Sequence, residues 1–392
     1  MIPDGTILKN SAKPMNGFKY NHPFDGHGFI NAFTLRNGDI SYNGIRVKTE
    51  HYALEKKYNK QLFRGLNTNV KNNRLFIENF SNISVFYDTS KNEVQSLSEG
   101  GMPYLIDIEN HETIGRKFDW IPPFIPYFPI TAHPKMDNGR VVNASSLIGM
   151  MTLFDDYGII FSEIFADNQG YYFHDFAITD THYIFYLNNV SVNILPMYFS
   201  DDGTILDGFG FNNNNKILLV NKETKERQYV DIPNEIDRPA LHIAYVKQDG
   251  DEIDMYMAFI PSSFSISDIQ TAHDFEGCYL HKIKIINGKV KNTIQISDIH
   301  CEMPVQSGEN IFLINENTLV RCDTRNDTIK TIHFENEILE EPVLHDNVLF
   351  VISHGDNVTN IHAYNADTLI HIHTKRFPFN VSYGFHGTFV PS

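Results

Sequence analysis

Short apolar runs punctuated by tight-turn dipeptides fill this chain, and that rhythm restricts it to a large antiparallel β structure. Asn37-Gly38, Asn43-Gly44, Asn138-Gly139, Asp202-Gly203, Asp249-Gly250 and Asn287-Gly288 read as hairpin turns, because Asn, Asp and Gly tolerate the positive φ that such turns need. Between them lie strand-like runs such as Tyr183-Ile184-Phe185-Tyr186, Ile217-Leu218-Leu219-Val220, Ile311-Phe312-Leu313-Ile314 and Val348-Leu349-Phe350-Val351-Ile352. Amphipathic helices are nearly absent; the best candidate is a short segment around Tyr52 to Phe63. Strands at this spacing imply a sandwich, a barrel or a propeller. A single sandwich is too small for 392 residues. A propeller absorbs the length and delivers its loops to one axis. No internal repeat stands out and no linker justifies a cut, so residues 1–392 are expected to form a single domain.

Charge and cysteine content narrow the function classes. The formal net charge of −16 argues against a nucleic-acid partner, which needs clustered Lys and Arg. Cys278, Cys301 and Cys322 have no metal-ligand spacing and suit a reducing compartment. The opening Met1-Ile2-Pro3-Asp4-Gly5 lacks the basic start and apolar run of a signal peptide, and no window reaches the length of a membrane span. The expectation is therefore a cytoplasmic protein with no obligate protein partner. Trp120 to Ile130 is the most apolar stretch and carries four prolines. It is read as a rigid buried connection, with pocket lining or peripheral membrane contact as alternatives. The heavy aromatic load (30 Phe, 19 Tyr) fits a β core, with some rings available to line an apolar substrate channel.

Four of the 18 histidines sit in unusual islands: Thr131-Ala132-His133-Pro134, Phe173-His174-Asp175-Phe176, Leu241-His242-Ile243-Ala244 and Gly384-Phe385-His386-Gly387. Each is flanked by apolar or small residues, as for imidazoles held in a packed interior. They are spread from residue 133 to residue 386, so only a closed fold can bring them together. If they meet, they form a metal site with no carboxylate ligand, which points first to redox iron. The other histidines have weaker contexts. His371 and His373 share one strand face, a spacing that can chelate, but lack further ligands. His22, His27, His51 and His111 have no raising context.

These islands, taken with further motifs, resemble the carotenoid cleavage oxygenases over nearly the whole chain. Asn21-His22-Pro23-Phe24-Asp25-Gly26-His27-Gly28-Phe29 is similar to the family's Phe-Asp-Gly-Asp-Gly turn, with His27 in place of Asp. Ser98-Glu99-Gly100-Gly101-Met102-Pro103 resembles its Glu-Gly-Gly-x-Pro segment, and the His133, His174 and His386 islands are close matches in the family order. The His242 island departs, with Tyr245 where the family usually has Asn.

The resemblance implies an all-β, seven-bladed propeller with loops and short helices capping one face. On its axis it implies one Fe²⁺ per chain, held by His133, His174, His242 and His386. It also implies three glutamates that orient the ligands, and Glu99, Glu302 and Glu341 fit, although Glu340 competes with Glu341. The implied reaction splits a conjugated carbon–carbon double bond of an apolar small molecule with O₂, giving two carbonyl products. Stilbene-cleaving members carry a phenol-binding Lys where this chain has Ser98, so a carotenoid or apocarotenoid is expected, with a stilbene as the alternative. A retinyl-ester isomerohydrolase and a propeller that binds without chemistry are more remote readings.

Overall fold

The computed structural model describes residues 2–68, 70, 79–117, 130–147, 149–165, 170–192, 204, 208–261 and 276–392. The strands form seven antiparallel sheets in a ring, the β-propeller expected from the sequence. Following the chain, one sheet spans Ser84–Asp88 to Glu112–Arg116, the next Lys135–Asp137 to Gly158–Ile164, and the next Gly170–Tyr172 to Arg227–Asp231. Three more run from Ala240–Asp249 to Lys289–His300, Glu302–Ser307 to Thr328–His333, and Ile338–Leu339 to His371–Phe377.

The seventh sheet closes the ring. Its strand order is Asp39–Arg46, His27–Arg36, Gly5–Lys13 and Gly384–Pro391, so the two ends of the sequence pair side by side. Gly5 lies opposite Pro391 and Lys9 opposite Gly387, with a bulge before Ser11 meets Gly384.

Turn chemistry explains most of the hairpins. Asn37-Gly38, Asn138-Gly139 and Asn287-Gly288 all carry positive φ at both residues, and Gly250 does so at its own turn. Asn43-Gly44 is a correction: it lies inside the strand Asp39–Arg46. The glycine there accommodates a ring, since a Cβ on Gly44 would sit 2.3 Å from Phe29 Cζ. Asp202-Gly203 and residues 118–129, most of the proline-rich stretch, lie outside the described residues.

The inner strands read as continuous apolar runs because neighbouring sheets cover both their faces. Asn310–Asn315 is buried at five successive positions, whereas the outer strand Thr328–His333 has no buried residue. The apolar clusters lie between adjacent sheets. Ile217 and Leu219 pack with Ile253 and Met255, and Ile7 and Phe33 pack with Phe350 and Phe389 across the closure.

The expected helix exists but begins earlier, over Glu50–Tyr58. Thr49 caps it by accepting from Tyr52 N, and Asn59 ends it in the left-handed conformation. No helix among the described residues is long and apolar enough to cross a membrane.

Candidate metal centre

Every sheet sends one functional side chain to the ring's axis. Four supply histidines. His133 precedes the strand Lys135–Asp137, His174 lies between Gly170–Tyr172 and Phe176–Ile178, His242 lies in Ala240–Asp249, and His386 lies in Gly384–Pro391. Local irregularity aims two of them. The pairing register shifts on both sides of Ile243, and the closing strands bulge at Phe385 and His386. Bulges commonly re-aim side chains in this way.

The four imidazoles meet. One nitrogen from each falls within 4.8 Å of the others, and the centroids of five of the six ring pairs, all but His174–His386, lie between 4.5 and 5.0 Å apart. Despite Tyr245, His242 is among them.

The three remaining sheets supply carboxylates. His242 Nδ1 bonds Glu302 Oε2 at 2.7 Å, and His386 Nδ1 bonds Glu341 Oε1 at 2.8 Å. Glu99 reaches past a neighbouring sheet to His174 Nδ1, at a longer 3.3 Å. The carboxylates are themselves held. Glu99 accepts from Ala132 N and the Tyr172 hydroxyl, Glu302 from Met303 N, and Glu341 from Gly387 N. No carboxylate partner of His133 appears among the described residues. Glu340, the competing candidate, bonds His354 Nε2 and Gly384 N instead, each at 2.7 Å.

This arrangement passes a simple test for a metal. An Nδ1–H given to a carboxylate leaves the opposite nitrogen bare, with a lone pair facing inward. His242 Nε2 is such an atom: it is buried and has no hydrogen-bond partner. His133 Nε2 and His174 Nε2 face each other at 2.9 Å. Burial first, then repulsion from neighbouring imidazoles and Lys135, keeps both rings well below the usual histidine range, so they are neutral donors. Burial would also lower His242, but Glu302 outweighs it and raises the ring. Burial pushes the Glu99 carboxyl up to about 8. Burial would likewise raise Glu341, yet His386, Lys9 and His242 together hold it below its usual range. Four converging imidazoles, three of them facing carboxylates, make a cation site.

Three residues escaped sequence reading. Asp175 receives Lys135 Nζ at 2.8 Å and Ile243 N at 3.2 Å, tying together the segments of three ligands. Tyr172 braces Glu99 and packs edge-on against Phe209. Lys9 is fully buried and donates to the carbonyls of Glu341 and Phe385. Only an ionisable residue beside a ligand, or inside an apolar strand, could have marked them.

The other histidines do different work. His27 is fully buried and bonds the equally buried Glu55 at 2.9 Å, anchoring the helix to the strand His27–Arg36. His51 stacks on Phe63 and accepts from Asn79 N; burial pushes its ring down to about 4. His22 packs edge-on against Phe24, and His111 sits in a turn beside Asn43. His371 and His373 lie on the outer strand His371–Phe377 and join no metal-type cluster among the described residues.

Fold and centre together define a β-propeller with a four-imidazole cation site on its axis. The chain belongs to the retinal pigment epithelial membrane protein family, that of the carotenoid cleavage oxygenases, whose model matches residues 2–391. It is 30% identical over 200 residues to the apocarotenoid-15,15'-oxygenase of Synechocystis sp., a match covering 45% of this chain and 40% of that protein. It is 32% identical over 178 residues to resveratrol cleavage oxygenase 1 of Botryotinia fuckeliana, covering 41% of this chain and 30% of that one. These matches thus span less than half of each relative's length. A crystallised ACO/RPE65 chimera superposes with a TM-score of 0.86 at 21% identity, over all of this chain and 93% of its own.

Proposed function

We propose that this protein is a non-haem iron dioxygenase that splits a conjugated double bond of an apolar polyene, a carotenoid or apocarotenoid. The carrying observation is the set of four imidazoles, two with Nδ1 bonded to a buttressed carboxylate, a third with Nδ1 3.3 Å from one, and none replaced by an acidic ligand. Ferrous iron bound there would supply the site and the electrons for O₂ activation. The reaction balances without acid–base help: one alkene and one O₂ give two carbonyl products. The chain's tasks are accordingly to hold four neutral rings at fixed angles and to keep water away. Glu99, Glu302 and Glu341 fix the tautomers, and the edge-packed pairs Phe24–Phe385 and Tyr172–Phe209 place aromatic surface next to His386 and Glu99. Residues 1–392 are taken to act as one propeller domain.

Ser98 supports a polyene over a phenol. Its buried hydroxyl donates to Asn79 Oδ1 and accepts from Ser81 N, so the position of the phenol-binding lysine is given to structural bonding. Similarity to a resveratrol-cleaving enzyme keeps the stilbene reading in the test. After anaerobic loading with Fe(II), the protein should hold one iron per chain. It should release aldehydes from a β-apocarotenal and none from resveratrol. Aldehydes from resveratrol alone would establish the stilbene reading, and failure to bind iron would leave a binding module.

Glu302→Gln tests the carboxylates separately. The amide keeps the shape but loses the charge that makes His242 a stronger donor. Iron affinity should fall about 10- to 100-fold. An unchanged dissociation constant in metal titration would remove Glu302 from the site's support.

A further inference from the structure

Lys9 is the least expected residue near the axis: a fully buried lysine in the largely buried strand Gly5–Lys13. Its surroundings account for it. The bulge opposite Asn10 takes Phe385 and His386 out of regular pairing, which leaves backbone carbonyls inside the ring. Lys9 Nζ donates to Phe385 O and, at 2.8 Å, to Glu341 O, and lies 3.8 Å from Glu341 Oε2. Glu341 is the carboxylate that holds His386 Nδ1.

The glycines on either side of His386 make room for this side chain. A Cβ on Gly387 would sit 2.4 Å from Lys9 Cδ, and one on Gly384 would sit 2.8 Å from Lys9 Cβ. The Gly-Phe-His-Gly pattern thus has a steric cause, because the lysine stem lies across the strand that carries the ligand.

We propose that Lys9 is a positioning residue for His386, its ammonium pinning the bulge and the Glu341 carboxylate that orient this imidazole toward the metal. Through it, ring closure and completion of the metal site become one event. Lys9 is not one of the converging ligands; it acts through Glu341 and the Phe385 carbonyl. The assignment rests on the metal-centre reading above.

Lys9→Met tests it, since methionine preserves most of the apolar stem and removes the cation. The full-length protein would be loaded with Co(II) and titrated. Affinity should fall tenfold or more, in the range of lost outer-sphere support. The Nδ1–H protons of His174, His242 and His386, which face carboxylates at 2.7 to 3.3 Å, should give three paramagnetically shifted, exchangeable NMR signals in the unsubstituted protein. In Lys9→Met one should move or broaden while the other two remain, a selectivity that general loosening would not produce. Affinity within about twofold of the unsubstituted protein, with all three signals in place, overturns the assignment. If Lys9→Met does not fold, Lys9→Arg keeps a cation with several donors: binding within about threefold supports the role, and a tenfold loss in a folded protein refutes it. An unsubstituted protein that binds no Co(II) or Fe(II) would sink the metal-centre reading and this assignment with it. A Lys9→Met protein that matches a metal-binding parent sinks this assignment alone.

Discussion

His174→Ala should leave a folded propeller that retains no stoichiometric iron and no double-bond cleavage. The change removes one of four imidazoles that meet within 4.8 Å, and it takes from Glu99 the ring it orients. His133 also loses the nitrogen that faces it at 2.9 Å. Three neutral donors on a divalent ion, with water at the vacated position, bind far more weakly and with a different electronic structure. The loss should be visible by elemental analysis after anaerobic reconstitution, with far-ultraviolet circular dichroism unchanged. His371→Ala, an exposed position on an outer strand, is the matched control and should keep its iron. A His174→Ala protein that still holds one iron per chain would place the centre elsewhere.

Gly28→Ala should be among the most destabilising single-methyl additions in the molecule. A Cβ at Gly28 would lie 2.0 Å from Ser81 O and 2.9 Å from Val47 Cγ2. The obstacle is backbone, so no rotamer change relieves it. Gly28 is also bonded on both sides: its N–H donates to Phe80 O at 2.8 Å, and its carbonyl accepts from Val47 N at 2.9 Å. Relief must therefore separate two paired segments. Overpacking typically costs about 1–3 kcal/mol and occasionally more; with backbone as the obstacle the upper end is expected, and chemical denaturation should show the midpoint falling accordingly. A midpoint within error of the unsubstituted protein would mean that residues 80–81 do not pass this close to the strand. Gly28 was legible in the sequence as part of the Phe-Asp-Gly-His-Gly turn, and the close approach gives its physical reason.

Much of the architecture could be read from residue order because local rules governed it. Asn-Gly pairs at 37, 138 and 287 adopt positive φ wherever they fall between strands, so those hairpins followed from composition alone. Asn43-Gly44 obeyed a tertiary demand, the space needed by Phe29, and no local rule foresees it. The histidine islands were conspicuous because a polar ring among small and apolar neighbours needs a reason to be there. Choosing between Glu340 and Glu341 was beyond sequence, since both are buried and adjacent. The chain's path decides it, turning Glu341 to His386 and Glu340 to His354 and Gly384 N. Lys9 and Asp175 were invisible for a related reason. Their partners lie 332 and 68 residues away, at Glu341 O and Ile243 N, and exist only once the ring is assembled.

The pairing of Gly5–Lys13 with Gly384–Pro391 also fixes an order of events on the ribosome. The strand Gly5–Lys13 waits, with one edge unpaired, for a partner made more than 370 residues later. Until that partner emerges, a nascent chain carries three of its imidazoles and a lysine that still lacks the Phe385 carbonyl. Contacts this remote in sequence form late and slowly, and the waiting edge is a template for misassembly. A cation held by all four imidazoles can therefore be bound only once the closing strand has been made. Supply of the ion and shielding of the open ring become two requirements that the cell must meet in the same interval.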